Sequence, residues 1–185
     1  HGAYRLSRII PHTRYDRKEI SVHCHIKKLK EIDQSLRIKG ELINRQGKTI
    51  AKAIQSTKQL MDSVLLELPE SIKEWSPRSP TLYNLKISII NDNEICDKQS
   101  ITYGFKKFHT AQKQFFLNEE KVRLRAGTVT WDRWSREDTM ARELLHDTEW
   151  FRKNVVERLK DHGANTIRFS LGGPPERFLD LCDRY

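Results

Sequence analysis

Glu19-Ile20-Ser21-Val22-His23-Cys24-His25-Ile26-Lys27-Lys28 sets Ile20, Val22, Cys24 and Ile26 against Ser21, His23, His25 and Lys27. Apolar and polar residues alternate with a period of two. In a pleated strand that period sends one set to a core and the other to water. Residues 35–44 repeat it, with Leu36, Ile38, Gly40 and Leu42 on one side. Arg45-Gln46-Gly47-Lys48 then supplies a turn in which Gly47 is free to take positive φ, and residues 49–55 return. Residues 63–68 form a further apolar run, and residues 82–90 and 100–108 flank the turn Asn91-Asp92-Asn93. About seven short strands with turn signals at this spacing predict an immunoglobulin-like β-sandwich over residues 1–109.

Bulk properties narrow the class. Of the 185 residues, 37% are hydrophobic and 32% charged, but the apolar residues are clustered, which argues against disorder. No stretch approaches the ~20 apolar residues that span a bilayer, so no membrane partner is expected. Residues 1–8 lack the hydrophobic segment of a signal peptide. Cys24, Cys96 and Cys182 are too far apart in sequence to indicate a zinc site or a disulfide framework. A Cys24–Cys96 bridge between strands competes with the simpler reading of buried free thiols.

The net charge of +9 raises nucleic acid as a partner. Residues 1–110 hold 20 Lys and Arg against 12 Asp and Glu, whereas residues 111–185 hold 14 against 13. The excess is scattered among alternating strand residues such as Lys27, Lys39 and Lys52, as on a solvated sheet face. With no recognisable module or aromatic platform, nucleic-acid binding is not expected.

The period changes after about Phe116. Residues 122–130 read as a strand, and Asp147 or Thr148 as the N-cap of a helix that runs to His162 and stops at Gly163. Phe151, Val155 and Leu159 share one helical face. Residues 166–170 form a short strand, and Pro174-Pro175 opens a second helix carrying Phe178, Leu179 and Leu181. This β-α-β-α order is the grammar of a parallel sheet or barrel. Two such units fall short of the eight that close a (β/α)8 barrel, so residues 110–185 are expected to be its truncated N-terminal part.

Three segments carry a resemblance. Trp75-Ser76-Pro77-Arg78-Ser79-Pro80-Thr81-Leu82-Tyr83-Asn84-Leu85 is the first. The second is Tyr103-Gly104-Phe105-Lys106, leading into Phe116-Leu117-Asn118-Glu119-Glu120-Lys121-Val122-Arg123-Leu124-Arg125. The third is Leu159-Lys160-Asp161-His162-Gly163-Ala164-Asn165-Thr166-Ile167-Arg168 with Leu181-Cys182-Asp183-Arg184-Tyr185. In this order they resemble the family 2 glycoside hydrolases, the β-galactosidase and β-glucuronidase group, over nearly the whole chain. Family members often have Gly where Glu119 stands. The run after Arg168, Ser170-Leu171-Gly172-Gly173-Pro174, lacks the His that many β-galactosidases carry there. Trp75 and Tyr83 read as sandwich-core or interface aromatics. Asn118 reads as a hairpin residue at positive φ, and Asn165 as a bonding partner of neighbouring backbone.

The resemblance implies retaining hydrolysis of a β-linked glycoside by two glutamates roughly 5 Å apart. It places both on later barrel strands, beyond Tyr185. Glu119-Glu120, Glu137-Asp138 and Glu157 do not sit at the end of a barrel strand, so no catalytic residue is assigned and the fragment alone is expected to be inactive. Residues at the ends of the two barrel strands, Thr130, Trp131 and Asp132 with Arg168, Ser170 and Leu171, are those expected at a pocket. Trp131, Asp132 and Arg168 are the substrate-binding candidates: Trp131 to stack on a sugar, Asp132 to bond hydroxyls, Arg168 to orient charge. His109, His146 and His162 lack metal-ligand spacing, and no metal or cofactor is implied. The expected partners are a carbohydrate substrate and the remaining domains of a parent chain, which would be periplasmic or secreted if bacterial. The competing function is a non-catalytic immunoglobulin-like carbohydrate-binding or adhesion module.

Overall fold

A computed structural model describes residues 2–30, 36–129, 146–170 and 172–185. The chain divides into two compact units, residues 1–74 with 81–107, and residues 75–80 with 108–185.

Among the described residues the first unit is a seven-stranded sandwich, so the chain is mainly β. One sheet has the order β1-β2-β5, from Tyr4–Arg14, Glu19–Lys28 and Met61–Glu67. The other has the order β4-β3-β6-β7, from Thr49–Thr57, Leu36–Ile43, Tyr83–Asn91 and Glu94–Tyr103. All neighbours are antiparallel. The alternation in β2 and β3 does what its period requires. Ile20, Val22, Cys24 and Ile26 from one sheet, and Leu36, Ile38 and Leu42 from the other, are buried in a shared core with Val64, Leu66, Leu85, Ile87 and Ile89. Gly40 lies among them because the sheets approach closely there. A Cβ at that position would sit 2.8 Å from Leu66 Cδ1 and 3.3 Å from Val64 Cγ1.

The three cysteines are free thiols, and burial pushes the Cys24 thiol up to about 12, with Asp62 adding to the effect. Tyr83 is a core residue whose hydroxyl accepts from the Lys73 amide at 2.9 Å. Along the open edges of the two sheets, β7 side chains stand in for a backbone ladder. Asp97 Oδ2 accepts from Leu6 N at 2.7 Å, and Gln99 Nε2 donates to Leu6 O at 2.7 Å. Pairing of this kind satisfies strand groups that would otherwise invite another chain.

Three boundaries differ from the sequence reading. β1 was not anticipated at all. The strand expected over 100–108 is β7, which begins at Glu94 and ends at Tyr103. Phe105 then turns back into the sandwich core and stacks on Tyr15, with ring centroids 5.1 Å apart. The strand expected over 122–130 is divided between two sheets of the second unit. Phe108–Ala111 (β8), Gln114–Leu117 (β9) and Glu120–Val122 (β10) form an antiparallel meander. Ala126–Val129 (β11) pairs in parallel with Thr166–Phe169 (β12). No closed barrel forms among the described residues.

Candidate functional site

The described ends of two segments expected to carry chemistry lie in the second unit, on the parallel pair β11–β12. Asp147 caps the helix between them by accepting from the Trp150 amide at 2.8 Å. Thr148–Phe151, Arg152–Glu157 and Arg158–Asp161 run on as one helix (α1, residues 148–161), the middle segment being a π turn. That wider turn makes Phe151 and Val156, five residues apart, its two buried side chains. The sequence predicts Phe151, Val155 and Leu159 on one face with Val156 beside them; Val155 packs on the same cluster partly buried, and Val156 is the more fully covered of the two. Gly163 ends the helix at φ 78°. The last helix, Glu176–Arg184 (α2), follows directly on Pro175 and buries Phe178, while Leu179 is 45% exposed. Phe178 stacks on Phe151 at 4.3 Å, and Ile167, Phe169 and Leu181 pack around the pair.

This packing assigns the two faces of the parallel pair. Ile167 and Phe169 alternate toward the helices, and a Cβ on Gly127 would lie 2.4 Å from Leu159 Cδ2. Glycine at this point lets α1 lie close against β11. Arg168 therefore projects to the opposite face, where it is exposed and aligned with Thr128 on β11. Arg168 makes no ion pair with a described carboxylate. Thr128 was missed in the sequence because its place depends on the parallel register.

Asn165 explains the spacing of the third motif. Its Oδ1 accepts from Arg125 N at 2.9 Å, and its Nδ2 donates to Arg123 O at 3.0 Å. Its own amide donates to Arg125 O at 3.0 Å. One side chain thus sets the start of β12 against the run into β11. Trp75 belongs to this unit rather than to the sandwich core. Its indole donates to Asp183 O at 2.6 Å, and Asn118 Nδ2 donates to Trp75 O at 2.9 Å. Lys160 Nζ donates to Pro77 O at 3.1 Å. Asn118 and Glu119 form the β9–β10 turn with φ of 52° and 66°.

A cavity of about 250 Å³ lies on the helix side, lined by Trp75, Val156, Leu159, Phe169, Leu179 and Tyr185 among others. Arg168 is on the other face, so this apolar cavity does not belong to the predicted sugar site. Of the three predicted binding residues, only Arg168 is placed. Trp131 and Asp132 lie outside the described residues, as do Thr130, Leu171, Glu137 and Asp138. Glu157 is engaged by Arg152, and Glu119 lies in the hairpin turn. No group of side chains among the described residues could hold a metal.

A seven-stranded sandwich followed by a parallel β-α-β unit is an arrangement found in multidomain enzymes that cleave glycosides. A glycosyl hydrolase family 2 member from Bacteroides cellulosilyticus has a TM-score of 0.82 at 19% identity, over 98% of this chain and 24% of that one. The family model for glycosyl hydrolases family 2 matches residues 5–106, and the chain belongs to that family. A Formosa agariphila protein provisionally named beta-glucuronidase is 31% identical over 151 residues, or 81% of this chain and 14% of that protein. A beta-galactosidase of Thermoanaerobacter pseudethanolicus is 26% identical over 157 residues, covering 83% of this chain and 20% of its own. The chain spans between 10% and 20% of the length of the curated relatives it matches.

Proposed function

We propose that these residues are the sandwich and the opening barrel wall of a retaining glycosidase that hydrolyses O-glycosidic bonds. In this reading the first unit, which ends at Lys107 rather than at the expected residue 109, is the supporting sandwich, and the chain from Phe108 to Tyr185 leads into a (β/α)8 barrel. The observation that carries it is the parallel β11–β12 pair, with helices packed on one face and Arg168 and Thr128 on the other. Barrel strands have this two-sided character, and barrel chemistry gathers at their C-terminal ends. Arg168 then faces the barrel interior and orients charged groups near the sugar. Trp131 and Asp132, just past the end of β11, supply a stacking surface and a hydroxyl acceptor.

The reaction needs a proton donor and a carboxylate nucleophile roughly 5 Å apart. Neither role is assigned within residues 1–185. The substrate class is a carbohydrate, consistent with relatives named for glucuronide and galactoside hydrolysis. Aryl β-glycosides are the direct test. The parent enzyme should release the aryl group from at least one β-glucuronide, β-galactoside or β-glucoside, and the 185-residue chain from none. A parent inert across that panel overturns the reading. Arg168→Ala in the active parent should lower kcat/KM by tenfold or more.

A further inference from the structure

The outer face of the four-stranded sheet concentrates charge that the linear sequence disperses. β3 turns Leu36, Ile38, Gly40 and Leu42 inward, so Arg37, Lys39 and Glu41 point outward. The register sets Lys52 and Lys86 on either side of Glu41. Ser88 pairs with Lys39 on one side and Lys98 on the other. Five cations and one carboxylate thus share a single face. Lys39 pairs with Glu41 at 2.7 Å, and Arg37 donates to Asn93 Oδ1 at 2.7 Å. Lys52, Lys86 and Lys98 make no ion pair with a described acid. Lys52 and Lys86 stand two strand spacings apart, about 10 Å.

We propose that this face binds a linear anionic polysaccharide, whose carboxylates or sulfates lie across the strands on Lys52, Lys86 and Lys98. Ammonium groups on flexible stems are point charges that accept either anion without a fixed geometry. Nucleic acid fits the face less well. The outward apolar residues are aliphatic, such as Ile54 and Ile95, and offer no ring for a base to stack on. Nor does the flat face present a helix or ribbon to a groove. The choice of a sugar polymer among polyanions rests on the glycosidase reading. Binding is measured without turnover, so an inactive parent and a non-binding face are separate results.

Affinity electrophoresis of the 185-residue chain tests it, in gels containing polygalacturonate, dextran sulfate or neutral dextran. The expected result is retardation by at least one of the anionic polymers and none by dextran, with release as salt rises. The variant K52Q/K86Q/K98Q should bind at least tenfold more weakly. The variant R5Q/R8Q/K27Q removes equal charge from exposed residues of the other sheet and should change binding less than threefold. Matched thermal unfolding of all three proteins separates lost binding from lost fold. Absence of retardation, equal loss in both variants, or tighter binding to duplex DNA at equal charge concentration overturns the proposal.

Discussion

Gly40 occupies the middle of β3, where glycine weakens a strand by its backbone freedom and lack of side chain. The reason for it lies in the opposite sheet. Leu66 and Val64 are 0% and 1% exposed, so neither has room to retreat from a new Cβ. Gly40→Val should therefore overpack the core and destabilise the sandwich by about 1–3 kcal/mol. Urea unfolding followed by far-UV dichroism reads this as a lower midpoint at constant slope. An unchanged midpoint would show that the sheets separate without cost. Gly40 was legible as a member of the apolar face, but its contact with Leu66 was not. Glu119 is the converse case. It adopts the positive φ for which glycine is favoured, as Lys113 does in the preceding turn at φ 61°, with no residue type to announce it.

At the scale of elements, strands with an unbroken period were the readable ones. β2 and β3 bury the very residues that their alternation selects. β1 escaped because its register shifts between Leu6 and Arg8, so Tyr4 and Leu6 point inward in one phase and Ile9 in the other. A bulge of this sort erases the pattern that would reveal the strand. Helix α1 was readable from its cap and stop, though its π turn was not. Of the candidate site, the position of Arg168 on a strand was legible. Its alignment with Thr128 required the parallel register, which no local pattern encodes.

Near the start of α1, Arg152 and Lys153 hold the Glu149 carboxyl down to about 2, mainly through hydrogen bonds from Arg152. A lowered folded-state value means that Glu149 contributes stability above its unfolded value of 4.5. That contribution fades as pH falls from 4.5 toward 2. The pair is exposed, so the effect is small. The Tm of the chain should fall more between pH 5 and pH 2 than that of Glu149→Gln, and the two curves should converge at the acid end. Parallel curves would remove Glu149 from the account.

The whole molecule is divided in a way its sequence order hides, because Trp75–Pro80 groups with Phe108–Tyr185 although sandwich strands flank it on both sides. The sandwich has a large core of its own, whereas the second unit buries only Phe151, Val156 and Phe178 fully among its described residues. Residues 1–107 should therefore retain a β-type far-UV spectrum and a cooperative transition when produced alone. Trp75 is the only tryptophan in that shortened chain. Its indole partner, Asp183 O, is then missing, as is the Asn118 amide that bonds its carbonyl. Loss of these two bonds should move its emission to longer wavelength and raise its quenching by acrylamide. A helical spectrum would sink the sandwich as an independent unit. Shielded, blue-shifted emission from a folded 1–107 chain would instead give the Trp75 loop a seat on the sandwich, and the W-S-P-x-x-P segment would owe its conformation to the first unit rather than the second.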